Sequence, residues 1–263
     1  WNAINAAENV VLHPDRLHQP FEWREPSRVF VNSMSDLFHE QVPNNYIDQV
    51  FGVMAQARPH TFQILTKRAK RMHDYMTAPS LYERVLGAAD RVRSAFPARS
   101  GIGISNPTTR PAPWIWLGVS VENQRYVDER IPFLLETPAA VRFISAEPLL
   151  EGIDLTEYLD PAGAPCGETN ETLDWVITGF ESGPRARPGH VAWIRNILVD
   201  CEEAGVPAFV KQLGARPHDW TDAGAIEDVP VNRPPFDDAR LVRPLKLRDR
   251  AGADPREWDE SLQ

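Results

Sequence analysis

Six short apolar runs in the sequence each end at polar residues that could take part in chemistry. The clearest run, residues 175–178, stops at Gly179 and is followed at once by Glu181 and Ser182. The charged residues that follow the six runs are Asp36, Lys67, Arg68, Glu122, Glu147, Glu181 and Lys211. Carboxylates accept hydrogen bonds from ammonium groups and ribose hydroxyls, and a carboxylate near a lysine can transfer protons. If the six run ends meet at one rim, they predict a small-molecule site.

The elements that must bring these residues together read as strands alternating with helices. The predicted strands are residues 28–32, 60–65, 114–121, 141–145, 173–178 and 206–210. They are rich in β-branched and aromatic residues and are apolar without alternation, which is typical of parallel strands covered on both faces. Helical periodicity lies between them at residues 43–54, 81–96, 123–137 and 191–204, the last ended by Gly205.

This alternation predicts an α/β fold, specifically a partial or complete parallel (β/α) barrel of the TIM type. An open doubly wound sheet is the alternative. In either arrangement ligands bind beyond the carboxyl ends of the strands, which is where the polar residues stand. We expect a barrel domain over residues 1–214 and an irregular C-terminal extension over residues 215–263 that packs on it. Residues 98–113 and 160–170 are rich in loop-forming residues and predict exposed insertions.

Composition narrows the class of protein. The chain has 263 residues, 42% of them hydrophobic and 25% charged, as in a soluble globular protein. No apolar run approaches the roughly 20 residues that span a bilayer, and the first residues do not resemble a signal peptide, so we expect a cytoplasmic protein without membrane contact. A formal charge of −9 argues against sequence-blind binding of nucleic acid.

Several classes of site are disfavoured by missing patterns. The two cysteines, Cys166 and Cys201, show no C-x-x-C spacing, and we expect neither a disulfide nor a metal site from them. No H-E-x-x-H, G-x-S-x-G or G-x-x-x-x-G-K-[ST] pattern is present, which disfavours a metalloprotease, an α/β-hydrolase and a P-loop NTPase.

Six motifs spread over nearly the whole chain carry a resemblance to a known family. They are "FVNSMSDLFH" (30–39), "FQILTKR" (62–68), "WLGVSVENQ" (116–124), "RFISAEPLL" (142–150), "WVITGFESGPRARP" (175–188) and "FVKQLG" (209–214). The sequence resembles a phage- and prophage-associated family of unknown biological function known as three-cysteine-motif proteins, which looks like a branch of the radical S-adenosylmethionine enzymes. The resemblance implies a partial barrel, a [4Fe–4S] cluster held by three cysteines, and S-adenosylmethionine bound to the open iron. A 5′-deoxyadenosyl radical would then abstract hydrogen from a substrate.

The sequence departs from that family pattern at two places. The three-cysteine segment expected between Asn2 and Leu12 is missing, and residues 3–17 contain no cysteine. Three thiolates are needed to hold such a cluster, so these residues cannot ligate it. We expect the cluster loop to be absent from this 263-residue sequence rather than lost by the protein, with a degenerate member as the alternative. In addition, Phe180 replaces the second glycine of the family's G-G-E-S-G segment, adding bulk near the expected pocket.

The resemblance also implies roles for the residues at the strand ends. The expected cofactor-binding residues are Ser33, Ser35, Asp36, Ser120, Gly179, Glu181 and Ser182, of which Glu181 is the main candidate for the cofactor's amino group or ribose. The expected catalytic residues facing the substrate are Lys67, Arg68, Glu122, Glu147 and Lys211.

Three functions follow as hypotheses. The first is a radical S-adenosylmethionine enzyme that modifies a nucleotide, a nucleic acid or another small substrate, because phage association suggests that substrate class. The second is an iron-independent barrel enzyme in which Glu181, Glu147 and Lys211 perform acid–base chemistry. The third is a non-catalytic barrel that binds a ligand at its mouth. Neither the oligomeric state nor the electron donor can be predicted from the residues.

Overall fold

Six parallel strands form one sheet, and their order across the sheet is the same as their order along the chain. The structure, a computed structural model, describes residues 10–57, 59–95, 111–159, 171–220, 242–245, 253–258 and 262. Its strands are β1 (Arg28–Val31), β2 (Thr61–Thr66), β3 (Ile115–Ser120), β4 (Arg142–Ala146), β5 (Trp175–Gly179), β6 (Gly189–His190), β7 (Ala208–Gln212), β8 (Pro217–Trp220) and β9 (Val242–Pro244). The large sheet has the order β1-β2-β3-β4-β5-β7. A doubly wound sheet would reverse its strand order part of the way across. The predicted α/β fold of the partial parallel barrel type is therefore confirmed.

The strands lie where the apolar runs predicted them, to within two residues. All five residues of β4 are buried, and β3 and β5 are buried over most of their length, as parallel strands covered on both faces require. The outer strand β1 alternates exposed and half-buried residues. This register places Ser145 beside Ile177 and Ile177 beside Phe209 on one face of the sheet.

The helices occupy the connections between the strands. They are α1 (Asn44–Gln56), α2 (Ala69–Met76), α3 (Leu81–Ala95), α4 (Gln124–Leu135), α5 (Thr156–Leu159) and α6 (Val191–Ala204). The side chain of Asn123 caps α4 by accepting a hydrogen bond from the Tyr126 amide, and Gly205 ends α6 with a φ of 69°. The four predicted helices are confirmed as α1, α3, α4 and α6, whereas α2 and the single-turn helix α5 were not among them.

The chain divides into two compact units. The first contains residues 1–118 and 136–142, and in it α1 packs on α3. Gly52 permits that contact, because a Cβ there would lie 2.9 Å from the amide nitrogen of Ala89. The second unit contains residues 119–135 and 143–263, and in it α6 packs on β5 and β7.

The second unit also holds a small sheet of order β6-β8-β9. β6 pairs with β8 in parallel, and β8 pairs with β9 antiparallel. β8 and β9 lie in the region predicted to be irregular, and neither was predicted. The insertion predicted at residues 160–170 lies outside the described residues. Of the insertion predicted at residues 98–113, residues 98–110 also lie outside them. Among the helices that the structure describes, none has the length and apolar character needed to cross a bilayer.

Candidate functional site

Glu147 and Lys211 meet at the carboxyl ends of β4 and β7. The Lys211 ammonium donates a hydrogen bond to Glu147 Oε2 over 3.2 Å, and the Ser145 hydroxyl approaches the same oxygen at 3.4 Å. The Lys211 side chain is 55% exposed, whereas the Glu147 side chain is 15% exposed. The pair therefore presents a cation to solvent over a carboxylate that lies deeper in the protein. A ligand approaching this edge would meet both charges.

Gly179 ends β5 next to this pair, and the protein itself occupies the space that a side chain would need. A Cβ at Gly179 would lie 2.9 Å from the carbonyl oxygen of Gln212 and 3.2 Å from Glu147 Oε1. The register between β5 and β7 shifts at this point, which brings the β7 backbone close. Gly179 was expected to bind the cofactor. In the structure, the space left by its missing side chain is taken by the neighbouring strand β7 and the Glu147 carboxylate.

Ser120 and Glu122, at the end of β3, belong to a buried network. Glu122 Oε2 accepts a hydrogen bond from Arg130 Nη1 over 3.1 Å, and both side chains are under 10% exposed. The Ser120 hydroxyl donates to Glu122 Oε1 at 3.2 Å and contacts the carbonyl of Glu147 at 3.5 Å. The Arg130 guanidinium also donates to the Ser120 carbonyl and lies 3.8 Å from the centre of the Tyr126 ring. Glu122 is thus held by a buried cation.

Glu181 is held by Arg187 through three hydrogen bonds. Arg187 Nε and its backbone amide both donate to Oε2, at 2.9 and 2.8 Å, and Nη2 donates to Oε1 at 2.7 Å. The Arg187 side-chain and backbone hydrogen bonds lower the pKa of Glu181 to about 2. Most of the acceptor capacity of Glu181 is used in fixing the loop after β5, so this geometry leaves little of it for a cofactor.

Phe180 fills space that a glycine at this position would leave open. Its ring is 2% exposed and packs edge-on against Trp193 at a centroid distance of 6.1 Å. A Cβ added at Gly189 would lie only 2.4 Å from the Phe180 ring. Phe180 therefore points into the core of the second unit, and the bulk expected near a pocket is buried instead.

Asp36 organises the strand ends of the first unit. It accepts hydrogen bonds from the amides of Phe38 and Lys67, from the Thr66 hydroxyl and from Arg68 Nη1, all between 2.7 and 3.0 Å. The pKa of Arg68 is raised: burial opposes its charge, but the hydrogen bonds to Glu40 and Asp36 outweigh this. Asp36 and Arg68 therefore satisfy one another within the protein. The remaining predicted residues, Ser33, Ser35 and Ser182, are exposed.

Arg130 and Arg187, which pair with Glu122 and Glu181, were not predicted as site residues. A feature of the sequence could have indicated each of them. Arg130 lies on the face of α4 that also buries Val127, Ile131 and Leu134, and an arginine at a core position indicates a buried acidic partner. Arg187 lies in the same short loop as Glu181. Among the predicted catalytic residues, Glu147 and Lys211 contact each other, and this pair is partly exposed to solvent.

The described residues do not fit a three-cysteine cluster. Cys201 lies buried in α6, where burial, with a smaller effect of Asp200, raises the pKa of its thiol to about 12. A thiol held protonated in a helix core is a poor ligand for iron. Cys166 lies outside the described residues, and the whole sequence has only these two cysteines. In the described ranges no three or more His, Cys, Asp or Glu residues are grouped as metal ligands.

Fold and site together define an α/β protein of the partial-barrel type with charged residues at the carboxyl ends of its strands. Residues 2–261 match the model of a family described as "Protein of unknown function (DUF5131)", and the chain belongs to that family. No curated protein and no solved structure matches the chain.

Proposed function

We propose that the carboxyl edge of β4, β5 and β7 binds S-adenosylmethionine, the cofactor that the three-cysteine-motif resemblance implies. The observation that carries this proposal is the Glu147–Lys211 pair, whose charged atoms are 3.2 Å apart at that edge. The methionyl end of S-adenosylmethionine carries an ammonium group and a carboxylate. Glu147 offers an acceptor for the ammonium group, and Lys211 offers a cation for the carboxylate. Ser145, already within reach of Glu147, would orient the acceptor.

The resemblance also implies a reaction class. This is the radical modification of a nucleotide, a nucleic acid or another small substrate in a phage or prophage setting. We propose it only for a form of the protein that carries three cluster cysteines. These 263 residues carry two cysteines, so no step through a cluster is assigned to them.

Calorimetric titration with S-adenosylmethionine tests the binding proposal. Lys211→Met and Glu147→Gln should each weaken binding about ten- to a hundredfold, because a hydrogen bond to a charged group contributes roughly 1.5–3 kcal/mol. Lys70→Met is the matched control, since Lys70 forms a similar pair with Asp74 on the surface of α2. Absence of heat from a protein shown to be folded would overturn the proposal, and so would equal effects of the Lys211 and Lys70 variants.

The same pair supports a second candidate, an iron-independent enzyme that uses Glu147 and Lys211 as proton donor and acceptor. A carboxylate and an amine in direct contact at a partly exposed edge are suited to acid–base chemistry. Turnover that survives oxygen and a chelator but is lost in Glu147→Gln would favour this candidate. Ligand binding without any turnover would instead favour a non-catalytic barrel.

A further inference from the structure

Most of the large apolar side chains that the described residues leave exposed surround one cleft in the first unit. Seven large apolar side chains are exposed, and five of them line a cleft of about 650 Å³. The five are Val11, Leu12, Trp23, Phe30 and Met34, with exposures from 36% to 83%. Exposed apolar residues are ordinary when they are scattered, but their concentration in one concave surface indicates a binding site.

The position of β1 explains why the cleft is open. β1 is first in the strand order, so in the described part of the sheet no strand lies beyond its outer edge. Phe30 in this strand is 40% exposed. Asn32 then turns the chain with a φ of 60°, and its carbonyl accepts the Ser35 amide, which leaves Met34 83% exposed. Further lining residues come from α1, among them Val50, Val53 and Met54.

One cation in the lining has no partner among the described residues. The ionisable side chains of the lining other than Tyr46 are His13, Arg16 and Asp36. Asp36 already accepts four hydrogen bonds, and His13 lies 3.9 Å from Asp15. Arg16 is exposed and forms no side-chain hydrogen bond or ion pair within the described residues. The lining also contains polar side chains, among them Gln19, Ser33 and Ser35. The cleft therefore combines an apolar surface with polar groups and one available positive charge.

We propose that this cleft binds a single-chain amphiphilic carboxylate of the fatty-acid type, with the apolar chain against Trp23, Phe30 and Met34 and the carboxylate at Arg16. The volume falls within the range of roughly 300–1,000 Å³ in which proteins hold small molecules. Charge complementarity selects an anionic head group, because Asp36 is neutralised by its donors and Arg16 is not. The proposal does not depend on the site on β4, β5 and β7, which lies in the second unit; it gives the cleft lined by Ser33, Ser35 and Asp36, which were predicted to bind the cofactor, to a different ligand.

Calorimetric titration of the chain with decanoate, octanoate and decanol below their aggregation concentrations tests the proposal. We expect one molecule of decanoate to bind per chain. Each methylene should contribute about fourfold in affinity, so decanoate should bind about fifteenfold more tightly than octanoate. Phe30→Ser should weaken decanoate binding about tenfold, because it removes a large side chain from the apolar contact. Val199→Ser, at a 51% exposed position on α6, is the matched control and should have no effect.

The head group is tested with a second pair of variants. Arg16→Gln should weaken decanoate binding about fivefold and leave decanol binding unchanged, because only the carboxylate pairs with the guanidinium. Arg91→Gln removes the same charge from an exposed position on α3 and should change neither affinity. Circular dichroism and urea unfolding of each variant establish that it is folded. Three outcomes would each overturn the proposal: no saturable binding of decanoate, equal effects of Phe30→Ser and Val199→Ser, or a loss of decanol binding in Arg16→Gln as large as the loss of decanoate binding.

Discussion

Replacement of Arg130 by methionine tests whether the buried Arg130–Glu122 pair stabilises the fold. The Glu122 side chain is 6% exposed, and Arg130 Nη1 lies 3.1 Å from its Oε2. Arg130→Met keeps much of the apolar volume but leaves the carboxylate buried without this cation. Breaking one side of a buried ion pair costs about 3–5 kcal/mol. At about 2–4 °C per kcal/mol for a chain of this size, the melting temperature should fall by roughly 6–20 °C.

Urea unfolding followed by circular dichroism measures this loss in the free energy of unfolding. Arg125→Met is the matched control, because Arg125 lies on the same helix, is 80% exposed and is 3.9 Å from Glu129. It should change the free energy of unfolding by less than about 0.5 kcal/mol. A double-mutant cycle with Glu122→Gln should give a coupling energy of about 1–3 kcal/mol. A loss below about 1 kcal/mol for Arg130→Met, or no difference from Arg125→Met, would refute this stabilisation by the pair.

Three further predictions concern pH and packing. Because Arg187 holds the pKa of Glu181 at about 2, below its usual 4.5, the pair stabilises the protein above pH 4.5 and loses this effect as pH falls toward 2. The expected loss in the free energy of unfolding is about 1 kcal/mol after allowing for exposure, and Arg187→Gln should abolish it. Urea unfolding measured from pH 5 to 2 checks this, and an unchanged dependence of the urea midpoint on pH in Arg187→Gln would contradict the pairing. Burial lowers the pKa of His190 from 6.5 to about 4, so stability should fall as pH drops from 6.5 to 4. His190→Asn, which can still accept the amide that caps α6, should lack that slope in chemical unfolding, and a retained slope would contradict the assignment. Gly189→Ala should cost about 1–3 kcal/mol in the free energy of unfolding, because its Cβ would press on the Phe180 ring; an unaltered urea midpoint would contradict this packing.

The large elements of the fold could be predicted because each buries a continuous or periodic apolar face. The runs at residues 141–145 and 173–178 became β4 and β5, and the pattern at residues 191–204 became α6 with the same bounds. The short elements that were missed, such as β6 and α5, have two to four residues and no periodicity to detect. Their formation depends on pairing with distant segments, as β6 does with β8.

The positions of the polar residues at the strand ends could be predicted, but their partners could not. A carboxylate after a strand looks the same in sequence whether it binds a ligand or an arginine of the protein. In the structure Glu122 and Glu181 each contact an arginine of the protein, Arg130 and Arg187. Glu147 differs because its partner, Lys211, is 64 residues away in the sequence and half exposed. The sequence alone does not show that these two residues meet.

Mapping the S-adenosylmethionine site by backbone amide chemical shifts tests the central claim most directly. On titration with S-adenosylmethionine, the account predicts that the amides of Glu147, Gly179 and Lys211 shift progressively and saturate together. Because these residues end β4, β5 and β7, their common response would place the ligand at the carboxyl edge. A folded protein whose amides do not respond, or respond only away from these three strand ends, would contradict the claim.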